Sequence, residues 1–452
     1  MSTNFRSSLV VGIVILLWGC TTPSEPLEPT PGLTAFTGGR IIVGNAGMVI
    51  ENGTLIVRDG WIDKIGESDS TETPADAMVI DVSGKTIIPG LINAHGHVND
   101  VRGLEGDPAF YTEEHVESQL GLYARYGVTT VFSLGGDGPP GMAVRDRQGP
   151  DLNHARLYVG GQTVTGPSPE DAVEQVNAVA DSGANFVKIR VDDNLSNGSQ
   201  KMSPETYKAV IDTAHERGLR VAAHLYALDD AKGLLESDVD FIAHSVRDKE
   251  IDDELIALMT EKDICLCPTL MREVSTFVYE ERPDWFDDPF FLREAEPGVI
   301  QALEAKIDNL KRTRGQTSST VLYSYNKSAA DYKEDLRVAQ HNLKALSDGG
   351  VMIAFGTDTG PPARFQGYFE HGELDLMVES GLTPMQAIVS ATGDAARCMK
   401  VEAEIGTLEM GKRADFVVLG ANPLDDISNS RTLESVWIAG NLVPGSETGG
   451  KL

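Results

Sequence analysis

The sequence predicts an α/β protein, a (β/α)8 TIM barrel joined to a small β-sandwich domain that both ends of the chain build together. Three observations predict it. Apolar, strand-like runs alternate with helical patterns through the middle of the chain. Short β-branched runs broken by Gly, Asn and Asp occupy both flanks. At 452 residues and 41% hydrophobic content, the chain has apolar side chains enough for one large core and a smaller appendage.

The first twenty residues stand apart. A single cation, Arg6, precedes an apolar run from Leu9 to Trp18, then Gly19 and Cys20. This reads as an export signal, too short to span a bilayer comfortably as a permanent helix. Leu17-Trp18-Gly19-Cys20 resembles the bacterial lipobox, although Trp18 stands where a small residue is usual. That resemblance implies acylation of Cys20, a tether over 21–35 rich in Pro, Thr, Ser and Glu, and anchoring to the outer membrane, on its periplasmic or outer face. A plain signal peptide or an uncleaved anchor is the competing reading.

The small domain is expected over 36–88 and 405–445. Its strands are Arg40 to Val43, Gly53 to Arg58, Trp61 to Ile65 and Met78 to Val82, with Ala414 to Leu419 and Ser435 to Ile438 returning from the far end. The barrel is expected over 89–404. Eight runs supply its strands: Ile87 to Ala94, Thr129 to Leu134, Ala155 to Val159, Phe186 to Val191, Arg220 to Leu225, Asp240 to His244, Ile264 to Pro268 and Val351 to Phe355. Helical stretches such as Ser203 to Arg217 and Ile251 to Lys262 lie between them, as parallel strands require. The segment at about 279–332 breaks the rhythm and is expected to be an insertion that flanks or covers the site.

Composition excludes some partners. Thirty-eight Lys and Arg face 68 Asp and Glu, a formal net charge of -30, which repels nucleic acid and anionic lipid surfaces, so membrane contact is expected only through the anchor. Past Cys20 three cysteines remain. Cys265 and Cys267 alternate along one strand and are read as packing residues ahead of thiolate ligands, and no disulfide framework is expected.

Chemistry enters at the ends of the predicted strands. Pro89-Gly90-Leu91-Ile92-Asn93-Ala94-His95-Gly96-His97 sets two imidazoles two residues apart, leaving one strand on the same face. Lys188 lies inside the apolar Phe186-Val187-Lys188-Ile189, where a bare ammonium is costly to bury and needs a special state. His224 closes the fifth strand, His244 the sixth, and Asp358 the eighth, in Ala354-Phe355-Gly356-Thr357-Asp358. All point to the C-terminal mouth, where barrel enzymes keep their catalytic groups. His115, His154, His341 and His371 lack ligand-like spacing and are read as structural, and His215, near a helix end, as a surface or capping residue.

This ordered set resembles the amidohydrolase superfamily: His-x-His on strand one, lysine on four, histidine on five and six, aspartate on eight. The resemblance implies a binuclear metal centre with Lys188 carboxylated by CO2 and bridging two divalent ions. His95, His97 and Asp358 would hold one ion, and His224 and His244 the other. Zinc suits these ligands best, with manganese and cobalt as alternatives. Asp358 would take the proton of an activated water and return it to the leaving amine.

Phe186 to Arg190, Val221 to Tyr226 and Ile242 to Ser245 look most like the branch of Xaa-Pro dipeptidases and imidazolonepropionase-like proteins. The expected activity is hydrolysis of an amide in a dipeptide or N-acyl amino acid, a small-molecule substrate, with a homo-oligomer left open. The alternatives are a cyclic amide, lactone or other ester hydrolase, a deaminase on the same metals, or a non-catalytic surface lipoprotein. Tyr226 and Arg190, each two residues past a ligand, are candidates for a substrate carboxylate, Arg190 equally for an ion pair. Arg364 and His371, in the stretch after Asp358, are further candidates.

Overall fold

The computed structural model describes residues 30–45, 47–192, 200–296, 298–313 and 327–447; the export signal, the tether and Cys20 lie outside them. Five strands come first: β1 (Leu33–Ile42), β2 (Val49–Arg58), β3 (Trp61–Glu67), β4 (Met78–Asp81) and β5 (Thr86–Pro89). β1, β2 and β3 form an antiparallel meander. β1 also pairs parallel with two different strands, β4 through Thr34–Thr37 and β5 through Arg40 and Ile41. The change of partner falls at Gly38 and Gly39. Gly38 sits at φ 83°, and a Cβ on Gly39 would lie 2.9 Å from the Val82 carbonyl, so a side chain at either would strain or block the bend.

The barrel strands follow: β6 (Leu91–Gly96), a short β7 (Val101–Arg102) and β8 (Glu105–Gly106) hairpin, then β9 (Val128–Ser133), β10 (Arg156–Val159), β11 (Val187–Arg190), β12 (Val221–His224), β13 (Phe241–Ala243) and β14 (Cys265–Cys267). β6, β9 and β10 pair in parallel, as do β11 to β14. Parallel bridges join the two groups on both sides, Val164 to Ile189 and, through the eighth segment, Leu266 to Ile353 and Gly96 to Thr359.

Two expectations change here. The run Ile87 to Ala94 is two strands: Thr86–Pro89 belongs to the small domain, and only Leu91–Gly96 enters the barrel. Gly90 makes the turn between them, where a Cβ would lie 2.1 Å from the Thr129 hydroxyl. The eighth run is held by the Ile353 bridge and by bonds such as Ala354 N–H to the Leu266 carbonyl and Ala94 N–H to the Phe355 carbonyl, and forms no regular strand. Outside the ring, helices begin where the sequence offers caps. Thr112, Ser168, Ser203 and Asp252 each accept a backbone N–H of their helix's first turn, and Pro169 and Pro204 start two of them.

The chain then returns to the small domain as β15 (Phe416–Leu419), β16 (Leu433–Ile438) and β17 (Asn441–Leu442). β15 pairs antiparallel with β5, which makes one eight-stranded sheet from both chain ends. The sheet encloses its own apolar cluster, with Phe36 edge-on to both Phe416 and Trp437.

A second cluster fills the barrel: Ile92, Phe132, Phe186, Phe241, Cys265, Cys267 and Ala354, closed off by the helix Ala395–Met399. Packing is therefore only half the role of the cysteines. Cys265 is disulfide-bonded to Cys398, a correction that spacing could not supply because the partners are 133 residues apart. Cys267 remains a buried thiol. The described part of the insertion packs Tyr279, Phe286, Phe291, Val299 and Leu303 against Ala363, Tyr368 and Phe369, so it flanks the loop that follows Asp358.

Candidate metal centre and active site

The barrel ends place their side chains in one cavity of about 260 Å³, lined by His95, His97, Lys188, His224, His244 and Asp358 with Thr163, Thr165, Arg190, Arg272 and Arg364. Every ligand expected from the sequence reaches it. One nitrogen or oxygen from each of His95, His97 and Asp358 lies within 4.8 Å of the others. His97 Nε2 is 2.8 Å and His95 Nε2 3.5 Å from Asp358 Oδ1. The His244 ring stands between the others, 4.6 Å from His95 and 4.2 Å from His224 between centroids.

Two of these residues hold unusual backbone. His244 has φ 75° and Asp358 φ 60°, left-handed conformations that cost a side-chain-bearing residue about 1 kcal/mol or more. The strain turns both side chains inward, and surrounding bonds maintain it. Asp358 N–H donates to the His95 carbonyl at 2.6 Å, and His244 Nδ1 lies 2.7 Å from the Thr269 hydroxyl.

The donor chemistry fits a cation. His97 Nδ1 lies 3.1 Å from the Gly135 carbonyl and must carry a proton to bond it, so a neutral His97 turns the Nε2 lone pair toward an Asp358 oxygen. Two acceptors facing one another need a proton or a metal ion between them. Burial, with Lys188 next in weight, holds His95 well below the ordinary imidazole range, and burial lowers His224 and His244 too, favouring the neutral form that ligates. Burial opposes ionisation of Asp358, but Arg364, His95 and His97 outweigh it and hold the carboxylate well below its usual range. Lys188 Nζ and His95 Nδ1 are buried with no hydrogen-bond partner among the described residues. Burial lowers Lys188 to about 8. A site that gathers imidazoles, a carboxylate and an unsatisfied amine is costly to build for packing alone, and a divalent metal satisfies it.

The substrate candidates divide. Arg190 and Arg364 line the cavity. Arg364 Nη1 donates to Asp358 Oδ2 at 2.6 Å and its Nε to the Ser275 hydroxyl, so it orients the aspartate. Tyr226 is not among the lining residues. Its hydroxyl donates to Asp335 at 2.9 Å and lies 2.5 Å from Lys327 Nζ, because the helix Ala329–Asp348 packs over it. His371 is also not at the mouth. It lies in the helix Tyr368–Glu379, 1% exposed, with ring nitrogens 2.9 Å from the Ser430 hydroxyl and 2.9 Å from the Tyr126 carbonyl. Burial drops it to about 3.

Three residues escaped the sequence reading. Asp192, just past β11, places Oδ2 2.8 Å from His224 Nε2. Arg272 lines the cavity and donates to Glu273, which also pairs with Arg247 at 2.9 Å. The only available signal was a charge a few residues past a strand end, which is too common to act on.

Residues 86–443 match the amidohydrolase family. An uncharacterised protein of Mycobacterium tuberculosis is 27% identical over 340 residues, 73% of this chain and 78% of its own. Ochratoxinase of Aspergillus niger is 27% identical over 297 residues, 62% of this chain and 51% of its own. Among solved structures, a candidate prolidase of Bifidobacterium longum superposes with a TM-score of 0.72 at 26% identity, covering 94% of this chain and 97% of that one. The match spans the barrel, the returning strands of the small domain and every residue of the cluster, and the chain accordingly belongs to the amidohydrolase family, as a hydrolase acting on carbon–nitrogen bonds.

Proposed function

We propose that this chain hydrolyses the amide bond of an Xaa-Pro dipeptide or an N-acyl amino acid. The observation that carries the reading is the cation beside the cluster: Arg190 lines the same small cavity as Asp358 and the histidines. A guanidinium there offers paired donors to the carboxylate of a C-terminal amino acid and fixes the scissile amide over the ligands. Similarity to the structures of a candidate prolidase and of an Xaa-Pro dipeptidase supports the same substrate class.

In this proposal His95, His97 and Asp358 would hold one divalent ion and His224 and His244 a second, with Lys188, as a carbamate, a further ligand. Zinc is the ion these donors suit best. Bound there, divalent ions supply a water that ionises near neutral pH and a positive centre for the carbonyl oxygen. Asp358 accepts the proton of the attacking water and delivers it to the departing nitrogen. Arg364 on Oδ2 leaves Oδ1 directed at the reacting centre. His244 is kept in its inward pose through Thr269. Lys188, with no competing hydrogen bond among the described residues, is available to react as a neutral amine with CO2.

We also propose export with a lipid anchor on Cys20, supported by the apolar run Leu9 to Trp18 and by the Cys265–Cys398 disulfide, a bond that persists in oxidising compartments. Among the described residues no helix is long and apolar enough to cross a membrane.

The test is turnover of Xaa-Pro dipeptides, N-acyl amino acids, their carboxamide-capped counterparts, lactones and aminated heterocycles by metal-loaded protein. Free-carboxylate amides are expected to react, and capping is expected to raise KM at least tenfold. Turnover of lactones or heterocycles alone, or indifference to the cap, overturns the substrate assignment.

A further inference from the structure

Beneath the metal cluster lies a polar knot that the chemistry above does not use. Its centre is Glu370, in the helix Tyr368–Glu379, with no exposure to solvent. Glu370 Oε1 accepts three hydrogen bonds: from Asn93 Nδ2 at 2.6 Å, from the Thr357 hydroxyl at 2.9 Å and from the Thr359 hydroxyl at 2.7 Å. The donors occupy telling positions. Asn93 is two residues before His95, and Thr357 and Thr359 flank Asp358 on either side.

Each donor passes the constraint onward. Asn93 Oδ1 accepts the His95 backbone N–H at 3.0 Å. The Thr359 hydroxyl lies 2.7 Å from the Tyr123 hydroxyl, which donates to the His97 carbonyl. Thr357 and Asp358 N–H both donate to the His95 carbonyl. One carboxylate oxygen therefore ties the end of β6 to the eighth segment, the two places that supply His95, His97 and Asp358. Turning Thr357 and Thr359 inward obliges Asp358, at φ 60°, to turn toward the cavity. A three-donor acceptor is difficult to replace with packing, since each donor it abandons would be buried and unsatisfied.

We propose that Glu370 is a positioning residue: through Asn93, Thr357 and Thr359 it sets the distance and orientation of Asp358 relative to His95 and His97, and with them the affinity of the first metal position. It touches neither substrate nor ligand atoms. The inference rests on the metal reading of His95, His97 and Asp358, and holds whichever amide is the substrate.

Glu370→Ala, Glu370→Gln, Thr359→Val and Leu374→Ala, the last a fully buried neighbour on the same helix outside the knot, are each titrated with zinc after chelation. Zinc dissociation constants, kcat, KM and the fraction folded are measured. Glu370→Ala is expected to weaken the tighter zinc site at least 30-fold and to lower kcat at least 100-fold with KM within threefold. Glu370→Gln keeps an acceptor at Oε1 and is expected to recover most of both. Thr359→Val, which removes one donor and its acceptor bond together, falls between. Leu374→Ala, compared at equal fraction folded, is expected to bind zinc as the parent does.

If Glu370→Ala does not fold, Thr359→Val decides: parental zinc affinity in that variant overturns the proposal. So does an equal loss of zinc affinity in Leu374→Ala, which would reduce Glu370 to ordinary core stability. A failure of the substrate assignment reads differently, because the zinc titration does not depend on turnover.

Discussion

Replacing Lys188 with methionine should stabilise the metal-free protein while abolishing its metal centre. The side chain is 4% exposed, its Nζ has no hydrogen-bond partner among the described residues, and burial lowers its pKa from 10.5 to about 8. A shift of about 2.5 units corresponds to roughly 3 kcal/mol of disfavoured charge at 1.36 kcal/mol per unit. Methionine keeps the length of the methylene stem and removes the amine. In chelator at pH 7 the variant is expected to gain about 2–3 kcal/mol, read as a higher denaturant midpoint at unchanged slope. The sign follows from linkage. The folded state binds the Lys188 proton less tightly than the unfolded state, so the penalty is complete below pH 8 and fades as pH rises toward 10.5. The advantage of the variant should therefore vanish above about pH 10.5. With metal and bicarbonate supplied the order reverses: the parent gains stability from its ions, and the variant binds fewer and does not turn over. Lys188→Ala should regain part of its activity with short carboxylic acids. A metal-free Lys188→Met variant that is less stable than the parent at pH 7, or one that keeps full metal content, would refute the reasoning.

Two further outcomes follow. Burial raises Glu373 to about 8 and Asp137 to about 7, so each holds its proton more tightly folded than unfolded, and the cost of charging them grows from about pH 4.5 and is complete near pH 8; metal-free protein should lose stability between about pH 5 and about pH 8, and denaturant midpoints that rise over that interval would contradict this. His371→Phe removes two buried hydrogen bonds distant from the cavity and should cost about 1–3 kcal/mol of stability while leaving kcat and KM per folded molecule unchanged, and a raised KM would return His371 to the substrate site.

What the sequence disclosed and what it hid divide along physical lines. The strands were legible because β-branched apolar runs recur between capped helices, and the candidate ligands were legible because each stands at or near the end of such a run. The eighth run shows the limit of that method: Val351 to Phe355 is apolar enough for a strand, yet the chain there is held by one bridge, Ile353 to Leu266, and by single bonds such as Ala94 N–H to the Phe355 carbonyl, and never settles into a ladder. Residues that act through tertiary contact left no local trace. Glu370 reads as one acid among 68 Asp and Glu, and only the fold shows three hydroxyl and amide donors converging on it. Cys398 lies 133 residues from its partner. Tyr226 and His371 lie away from the cavity for one shared cause. Side chains near a strand end in sequence were assumed to face the mouth, but a helix packed over Tyr226, and the segment after Asp358 coiled into a helix that buried His371.

The most direct test of the account is metal stoichiometry measured alongside activity through exhaustive chelation and stepwise re-addition of zinc. The account predicts complete loss of amide hydrolysis in the stripped protein, recovery in proportion to bound ion with a limit near two per chain, and no recovery in a protein lacking His95, His97 and Asp358. Undiminished hydrolysis by metal-free protein would contradict it.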